Sequence, residues 1–87
     1  MEDHGVKIDV VRLNRLDGNG KTKAFCDIML EDAFIVKGLR VVEGKEGLFV
    51  GMPREQGKDG KWYTTFTPLK DDTKDKLQRI VLEAYAV

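Results

Sequence analysis

The sequence is poor in the side chains that enzymatic catalysis and metal binding most often use. Its 87 residues include no serine, one histidine (His4) and one cysteine (Cys26). Triads of the Ser-His-Asp or Cys-His type are therefore nearly excluded, and a zinc site would lack its clustered ligands. The alternating pattern around Cys26 favours a small core residue over a reactive thiol. We expect no enzymatic activity, no cofactor and no metal ion.

The chain also lacks long apolar runs and an excess of charge of either sign. No window approaches the roughly 18 apolar residues that a membrane-spanning helix needs, and the N-terminal residues lack the apolar segment of a signal peptide. With 15 basic and 15 acidic residues the net charge is zero. This argues against a strongly basic nucleic-acid-binding protein but leaves room for a local basic face. The lone cysteine rules out an internal disulfide, so we expect a cytoplasmic protein.

What the sequence does contain is a series of short segments with the two-residue period of β-strands. The turn signal DGNG at residues 17–20 joins the first two segments into a hairpin over residues 6–30. A change of phase after Val10 predicts a β-bulge, and the glycine at position 38 predicts a kink or a second bulge. The predicted strands are residues 6–13, 22–30, 33–42, 48–52 and 61–67.

The fourth segment, LFVGM at residues 48–52, is the most apolar and is typical of a buried strand. Pro53 ends this strand, and a polar loop over residues 53–60 follows it. The loop and the residue after it carry five charged side chains: Arg54, Glu55, Lys58, Asp59 and Lys61. The loop is either a simple connector or a contact element held out by a rigid strand.

The hydrophobic period changes from that of a strand to that of a helix after Pro68. The apolar positions form one helical stripe: Leu77, Ile80, Val81, Ala84 and Tyr85. Asp72 is the predicted N-cap, and a capping role is favoured over a metal-binding or acid–base role for the Asp71-Asp72 pair. Residues 1–87 are thus predicted to form a single α+β domain, an antiparallel β-sheet of about five strands followed by a C-terminal amphipathic α-helix.

The basic residues are unevenly distributed along this neutral chain. Residues 7–23 carry five basic and two acidic side chains, residues 24–53 carry three and five, and residues 54–87 carry seven and six. The positive first hairpin is more simply explained as a solvated sheet face than as a binding surface. Three basic side chains are predicted to project from the polar side of the helix: Lys74, Lys76 and Arg79.

The polar loop offers a second group of cations next to aromatic side chains. Arg54, Lys58 and Lys61 are placed to meet phosphates, and Trp62 and Tyr63 follow them directly. Aromatic rings beside cations are typical of surfaces on which nucleic-acid bases stack. The alternative is that both rings pack under the helix as part of the core.

Two segments in the middle of the chain resemble a known family. GLFVGMP at residues 47–53, with Asp59-Gly60 after it, looks like the signature of the SpoVG family of bacterial septation and sporulation regulators. FIVKGLRVVEG at residues 34–44 closely resembles the family's FVVHDIRVIEG-like segment. Shorter matches keep the same order along the chain: VVRL at 10–13, Lys23-Ala24, Thr67-Pro68 and Ala84-Tyr85.

The resemblance covers nearly all of residues 6–86. It implies a bacterial protein that forms a homodimer through its β-strands. It also implies sequence-preferring DNA binding, RNA binding in some members, and effects on septation, sporulation or virulence genes. Carried over by position, the nucleic-acid contacts are Arg54 in the loop and Lys74 and Arg79 on the helix. On charge alone we add Lys58, Lys61 and Lys70.

These observations leave two functional hypotheses of different kinds. The first is a homodimeric regulator that binds DNA, and in some members RNA, through the six basic residues just named. A small core makes oligomerisation a natural supplement to its stability, and two copies double the phosphate contacts. The second is a protein-interaction module that acts in cell division without touching nucleic acid, which the zero net charge and Glu55 favour.

Overall fold

In the computed structural model, which describes residues 5–87, six strands precede one helix. The elements are β1 (Ile8–Arg15), β2 (Thr22–Leu30), β3 (Phe34–Gly44), β4 (Gly47–Gly51), β5 (Arg54–Gln56), β6 (Trp62–Thr64) and α1 (Asp71–Ala86). The first four strands form an antiparallel sheet in the order β1-β2-β3-β4, and β5 pairs with β6 separately. The predicted α+β class is confirmed. His4 lies outside the described residues.

The arrangement of strands differs from the prediction at residues 53–60. Instead of a loop, this segment contains β5, which pairs with β6 to make a hairpin of its own beside the four-stranded sheet. The turn closes where Gly57 N donates to Lys61 O at 2.8 Å and Gly60 N donates to Gly57 O at 3.0 Å. Gly60 has a φ of +83°, which a glycine adopts without strain. Both faces of the hairpin are exposed, so its sequence carries no apolar alternation.

Both predicted β-bulges are confirmed. The β1–β2 register shifts between Val10 and Arg12, so Val11 is an extra residue in β1. In β3 the shift falls beside Gly38, whose φ is +93°. Because of this bulge Val36 and Leu39, three residues apart, pair with Ile28 and Cys26 of β2 and lie on the same side of the sheet.

The hydrophobic core lies between one face of the sheet and α1. Its buried side chains are Ile8, Ala24, Cys26, Ile28, Leu39, Val41 and Val50 from the strands and Leu77 and Val81 from the helix. The predicted alternation of β2 is confirmed, since Ala24, Cys26 and Ile28 are at most 1% exposed. The helical stripe is confirmed as well, because Ile80 and Tyr85 pack against the buried Leu77 and Val81.

The predicted N-cap at Asp72 is wrong. Lys70 is the N-cap, with an extended backbone and no side-chain capping bond, and Asp71 and Asp72 lie in the first turn. The first helical hydrogen bond, from Lys74 N to Lys70 O at 3.0 Å, therefore begins two residues earlier than expected. In these positions the two carboxylates still interact favourably with the positive end of the helix dipole, although neither accepts a capping hydrogen bond.

The interpretation of residues 48–52 as a buried strand holds for Val50 and Gly51 but is wrong for Leu48 and Phe49. β4 is an edge strand, and Leu48 and Phe49 are 42% and 46% exposed, whereas Val50 is 3% exposed. Phe49 pairs with Val42, one position out of phase with the buried Val41–Val50 pair, so it faces away from the helix.

We predict that Leu77→Ala lowers the free energy of unfolding by about 2–5 kcal/mol, because it removes a fully buried side chain from a small core. Urea denaturation followed by circular dichroism measures the change. Glu83→Ala, an exposed position on the same helix, is the matched control. Equal stabilities of the two variants would show that Leu77 does not anchor the helix to the sheet.

A second prediction concerns the buried thiol. Burial, with a smaller effect of the Asp27 charge, raises the pKa of Cys26 from 9.0 to about 11. At about pH 8 we therefore expect iodoacetamide to alkylate Cys26 roughly a hundredfold more slowly in the folded than in the urea-unfolded protein. The stability that this shift reflects is present below about pH 9 and is lost as the pH rises toward 11. Alkylation of the folded protein at the unfolded rate would contradict this account.

Candidate nucleic-acid interface

The β5–β6 hairpin carries three of the predicted contact residues and both aromatic side chains. Its three cross-strand pairs join Arg54 to Thr64, Glu55 to Tyr63 and Gln56 to Trp62. Its base is tied to the chain by a bond from Thr65 N to Pro53 O at 2.9 Å. Its other end is closed by Gln56 Nε2, which donates to Gly60 O at 3.1 Å. The predicted loop is therefore a hydrogen-bonded element.

An aspartate fixes the turn of this hairpin. Asp59 Oδ1 accepts from Lys61 N at 2.9 Å, and Asp59 Oδ2 accepts from the Tyr63 hydroxyl at 2.5 Å. The Tyr63 bond, followed by the Lys61 bond, lowers the pKa of Asp59, and the same contact raises the pKa of Tyr63. Gly57 lies against the Tyr63 ring, where an added Cβ would come within 2.8 Å of Cε2. The ring is thereby held in one position.

Trp62 and Tyr63 do not pack under the helix. Their side chains are 56% and 50% exposed, so the alternative of two core aromatics is wrong. Arg54 lies over the Trp62 ring, with its Cζ 5.1 Å from the ring centroid. A guanidinium stacked on an indole keeps its N–H groups available at the ring edge while its position is restricted. The hairpin thus presents a restrained cation on the exposed Trp62 ring, and the exposed Tyr63 ring follows it in β6.

Lys58 and Lys61 are exposed near the turn of the same hairpin, on either side of Asp59 and Gly60. With Arg54 they give the hairpin three positive charges against the two negative charges of Glu55 and Asp59. Because Asp59 accepts two hydrogen bonds within the turn, its charge is partly offset locally.

The helical candidates form a second group. Lys70 and Lys74 lie one turn apart on α1 and are both exposed, as is Arg79. Arg79 is five residues beyond Lys74, roughly 140° around the helix, so the two do not share a face. Lys76 does not project from the polar side as predicted, because its Nζ donates to Val6 O at 2.6 Å.

An open cleft of about 720 Å³ separates the two groups. It is lined by Thr64 of the hairpin and by Lys74 of the helix, together with Asp71 and Asp75. Because Thr64 and Lys74 line the same cleft, the hairpin and the first turns of the helix lie side by side. Thr64 is in turn paired with Arg54. Of the six predicted contact residues, Lys74 lines this cleft directly, and Arg54 lies next to it as the cross-strand partner of Thr64.

The basic first hairpin is largely occupied by contacts within the chain. Lys7 Nζ is 2.9 Å from Asp32 Oδ2, and Lys23 Nζ is 3.4 Å from Glu43 Oε1. Arg15 Nη2 donates to the carbonyl oxygens of Tyr85 and Val87 at 2.6 and 2.8 Å, where a cation suits the negative end of α1. These contacts favour a structural role for the cations of residues 7–23.

Arg40 is a residue that the sequence did not single out. It lies in the apolar strand β3, paired with Phe25 and Gly51, and its guanidinium reaches the Met52 carbonyl just before the hairpin. Strand alternation indicates that it faces away from Leu39 and Val41. Nothing in the sequence indicates that its guanidinium reaches Met52 O, two residues before Arg54.

Two other kinds of feature bear on function. Across residues 5–87 no group of three or more His, Cys, Asp and Glu side chains is arranged to hold a metal ion. Within the same range no helix has both the length and the apolar character needed to span a bilayer.

Comparison with known proteins places the chain in a family. The sequence profile of the SpoVG family matches residues 6–87. A septation protein SpoVG of Archaeoglobus fulgidus is 42% identical over 79 residues, which cover 91% of this chain and 93% of that protein. The chain belongs to the SpoVG family. Relatives from Lachnospira eligens (SpoVG) and Listeria monocytogenes (SpoVG 2), both named as septation proteins, are 40% and 38% identical over 80 residues, or 92% of this chain and 91% and 78% of theirs.

The SpoVG assignment confirms the resemblance that residues 34–53 first indicated. The matched span begins just before β1 and includes the β5–β6 hairpin and all of α1. Both groups of candidate cations therefore lie within the part of the chain that defines SpoVG proteins.

We predict that Tyr63→Phe raises the pKa of Asp59 toward its ordinary value of 3.8, because the hydroxyl that stabilises the carboxylate is removed. The stability that this bond gives the hairpin is present above that ordinary value and is lost as the pH falls through the lowered pKa. Carboxyl ¹³C shifts followed by NMR against pH measure the titration. Tyr85→Phe, on the helix, is the control that leaves it unchanged; an unchanged Asp59 titration in Tyr63→Phe would contradict the assigned hydrogen bond.

Proposed function

We propose that this SpoVG-family chain is a cytoplasmic homodimeric regulator that binds DNA, or RNA of similar backbone chemistry, and so influences septation, sporulation or related gene expression. The observation that carries the proposal is the exposed hairpin on which Arg54 stacks on Trp62 next to the exposed Tyr63. Cations and rings held on one rigid element are what binding to a polynucleotide requires: the cations meet phosphates and the rings stack on bases.

The helix extends this surface. Lys74 lies across the cleft from Thr64, and Lys70 lies one turn before it. A backbone that follows the hairpin would reach these two ammonium groups next. Asp71 and Asp75 limit the positive potential there, so binding is expected to depend on a few localised phosphate contacts and to weaken steeply with salt.

A homodimer formed through the β-strands would cover exposed apolar side chains and add phosphate contacts that one chain lacks. The strands carry several large apolar side chains that are about half exposed: Phe25, Phe34, Ile35 and Phe49. Exposed apolar side chains of this size on one sheet are typical of a surface that a partner covers. A second copy would also double the phosphate contacts of a chain whose net charge is zero.

We predict that Arg54→Ala combined with Arg79→Ala weakens binding to all oligonucleotide sequences alike, because phosphate contacts carry no sequence information. Fluorescence anisotropy with a labelled oligonucleotide over a range of salt concentrations measures affinity and salt slope. The slope should fall by roughly 0.7–0.9 for each phosphate that the variant no longer neutralises. The matched control, Lys21→Ala with Lys45→Ala, removes two charges from exposed turns. Equal affinities of the two double variants would remove Arg54 and Arg79 from the interface.

For the dimer, we predict that Phe34→Asp combined with Ile35→Asp halves the mass measured by light scattering, from twice 9.9 kDa to that of one chain. These side chains are 66% and 51% exposed, so charges there are tolerated in the monomer but not under a second copy. Leu69→Asp, at a 95% exposed position outside the strands, should leave the dimer intact. A wild-type chain that is monomeric would contradict the proposed assembly.

The second candidate is a protein-interaction module acting in cell division without nucleic acid. The exposed apolar side chains of the strands and the zero net charge favour it. The two functions separate in one comparison at low salt. An oligonucleotide shift supports the regulator, whereas capture of a division protein with no shift supports the interaction module.

A further inference from the structure

Arg40 is an arginine held in place by its surroundings. Its guanidinium lies against Gly51, so that a Cβ added there would come within 2.8 Å of Arg40 Cζ. Its Nη2 donates to Met52 O at 3.3 Å. The guanidinium thus packs against the backbone at Gly51, the last residue of β4, and donates to the carbonyl of the residue that follows. Arg40 has little freedom left to lose when a ligand binds.

No carboxylate among the described residues forms an ion pair with Arg40. Among residues 5–87 the ion pairs that the structure contains join Lys7 to Asp32 and Lys23 to Glu43, and none reaches Arg40. Its Nε is buried without an acceptor. A partly desolvated guanidinium without a carboxylate is costly, since buried charges are normally paired.

Arg54 follows two residues after Met52, whose carbonyl Arg40 Nη2 reaches at 3.3 Å, so it adds a second positive charge near this guanidinium. Burial and the nearby charge of Arg54 both lower the pKa of Arg40, which means that the charged form is disfavoured there. Arg54 is itself restrained by the Trp62 ring at 5.1 Å. Two restrained guanidinium groups that repel each other are an arrangement that an anion between them would stabilise.

We propose that Arg40 and Arg54, positioned by Gly51 and Trp62, form a binding site for a single phosphate group. The planar forks of the two guanidinium groups suit the oxygens of a phosphate, to which arginine binds with two parallel hydrogen bonds. The site deepens the proposed function and rests on it for its natural ligand, a phosphodiester of a polynucleotide backbone. Free inorganic phosphate has the same chemistry and serves as the probe.

The most specific test keeps every charge in place. Gly51→Ala puts a methyl group where the Arg40 guanidinium lies and displaces it without changing the net charge. Inorganic phosphate is titrated into the full-length protein, and the side-chain ¹⁵N signals of Arg40 and Arg54 are followed by NMR. We expect saturable shifts of both arginines in the wild type and at least about a tenfold weaker affinity in Gly51→Ala.

A second variant, Arg54→Gln, changes a side chain of β5 and leaves the packing of β4 unaltered. It should weaken phosphate binding to a similar degree, and Lys45→Gln, in the exposed turn between β3 and β4, should not. Because Gly51→Ala and Arg54→Gln disrupt one site, their combination should weaken binding by less than the product of the two single effects. Circular dichroism confirms that each variant is folded.

The outcomes separate this site from the proposed function. Wild-type oligonucleotide binding that neither variant weakens would overturn the site and leave the proposed function standing. Phosphate shifts of both arginines that the variants abolish, without any oligonucleotide binding, would establish the site for free phosphate and contradict the proposed function. If the oligonucleotide displaces phosphate from the arginines, the ligand is the polynucleotide backbone. A wild type whose arginine signals do not respond to phosphate overturns the site.

Discussion

The packing of α1 against one face of the sheet is the interaction on which the remaining structure depends, and Gln78 fixes where it occurs. Its side-chain amide donates to Val50 O at 3.0 Å and accepts from Val50 N at 2.9 Å. At Val50 the amide therefore makes the two backbone hydrogen bonds that a neighbouring strand would otherwise make at the edge of β4. The chain leaves this edge after Gly51, and β5 pairs with β6 in a separate hairpin.

A hairpin held outside the core can present exposed charged side chains even though the chain has no net charge. The separate hairpin contributes nothing to the core, which frees its side chains for contacts with a ligand. Its own bonds, centred on Asp59, keep it ordered. Meanwhile three cations of residues 7–23 are tied within the chain: Lys7 to Asp32, Lys23 to Glu43 and Arg15 to the end of the helix. Arg54, Lys58 and Lys61 of the β5–β6 hairpin are exposed.

The sequence predicted the fold class, the two bulges and the helical stripe, because each depends on local periodicity or on the backbone preference of glycine. It did not predict β5, since Arg54–Gln56 has no apolar residue and therefore shows no apolar alternation. Periodicity also could not decide on which side Trp62 and Tyr63 lie. The approach of Arg40 to Arg54 could not be predicted either, because it depends on how the chain turns at Pro53. The family resemblance supplied the proposed role of Arg54, but not its stacking partner.

The central claim is that the β5–β6 hairpin is the surface that meets nucleic acid, and the one tryptophan of the chain reports on it directly. The most direct measurement is the intrinsic fluorescence of Trp62 during titration with a single-stranded oligonucleotide in dilute buffer. The account predicts saturable quenching as bases stack on the exposed ring, reversed by added salt. Oligonucleotide binding detected by anisotropy with no change in Trp62 fluorescence, or no binding at all, would contradict it.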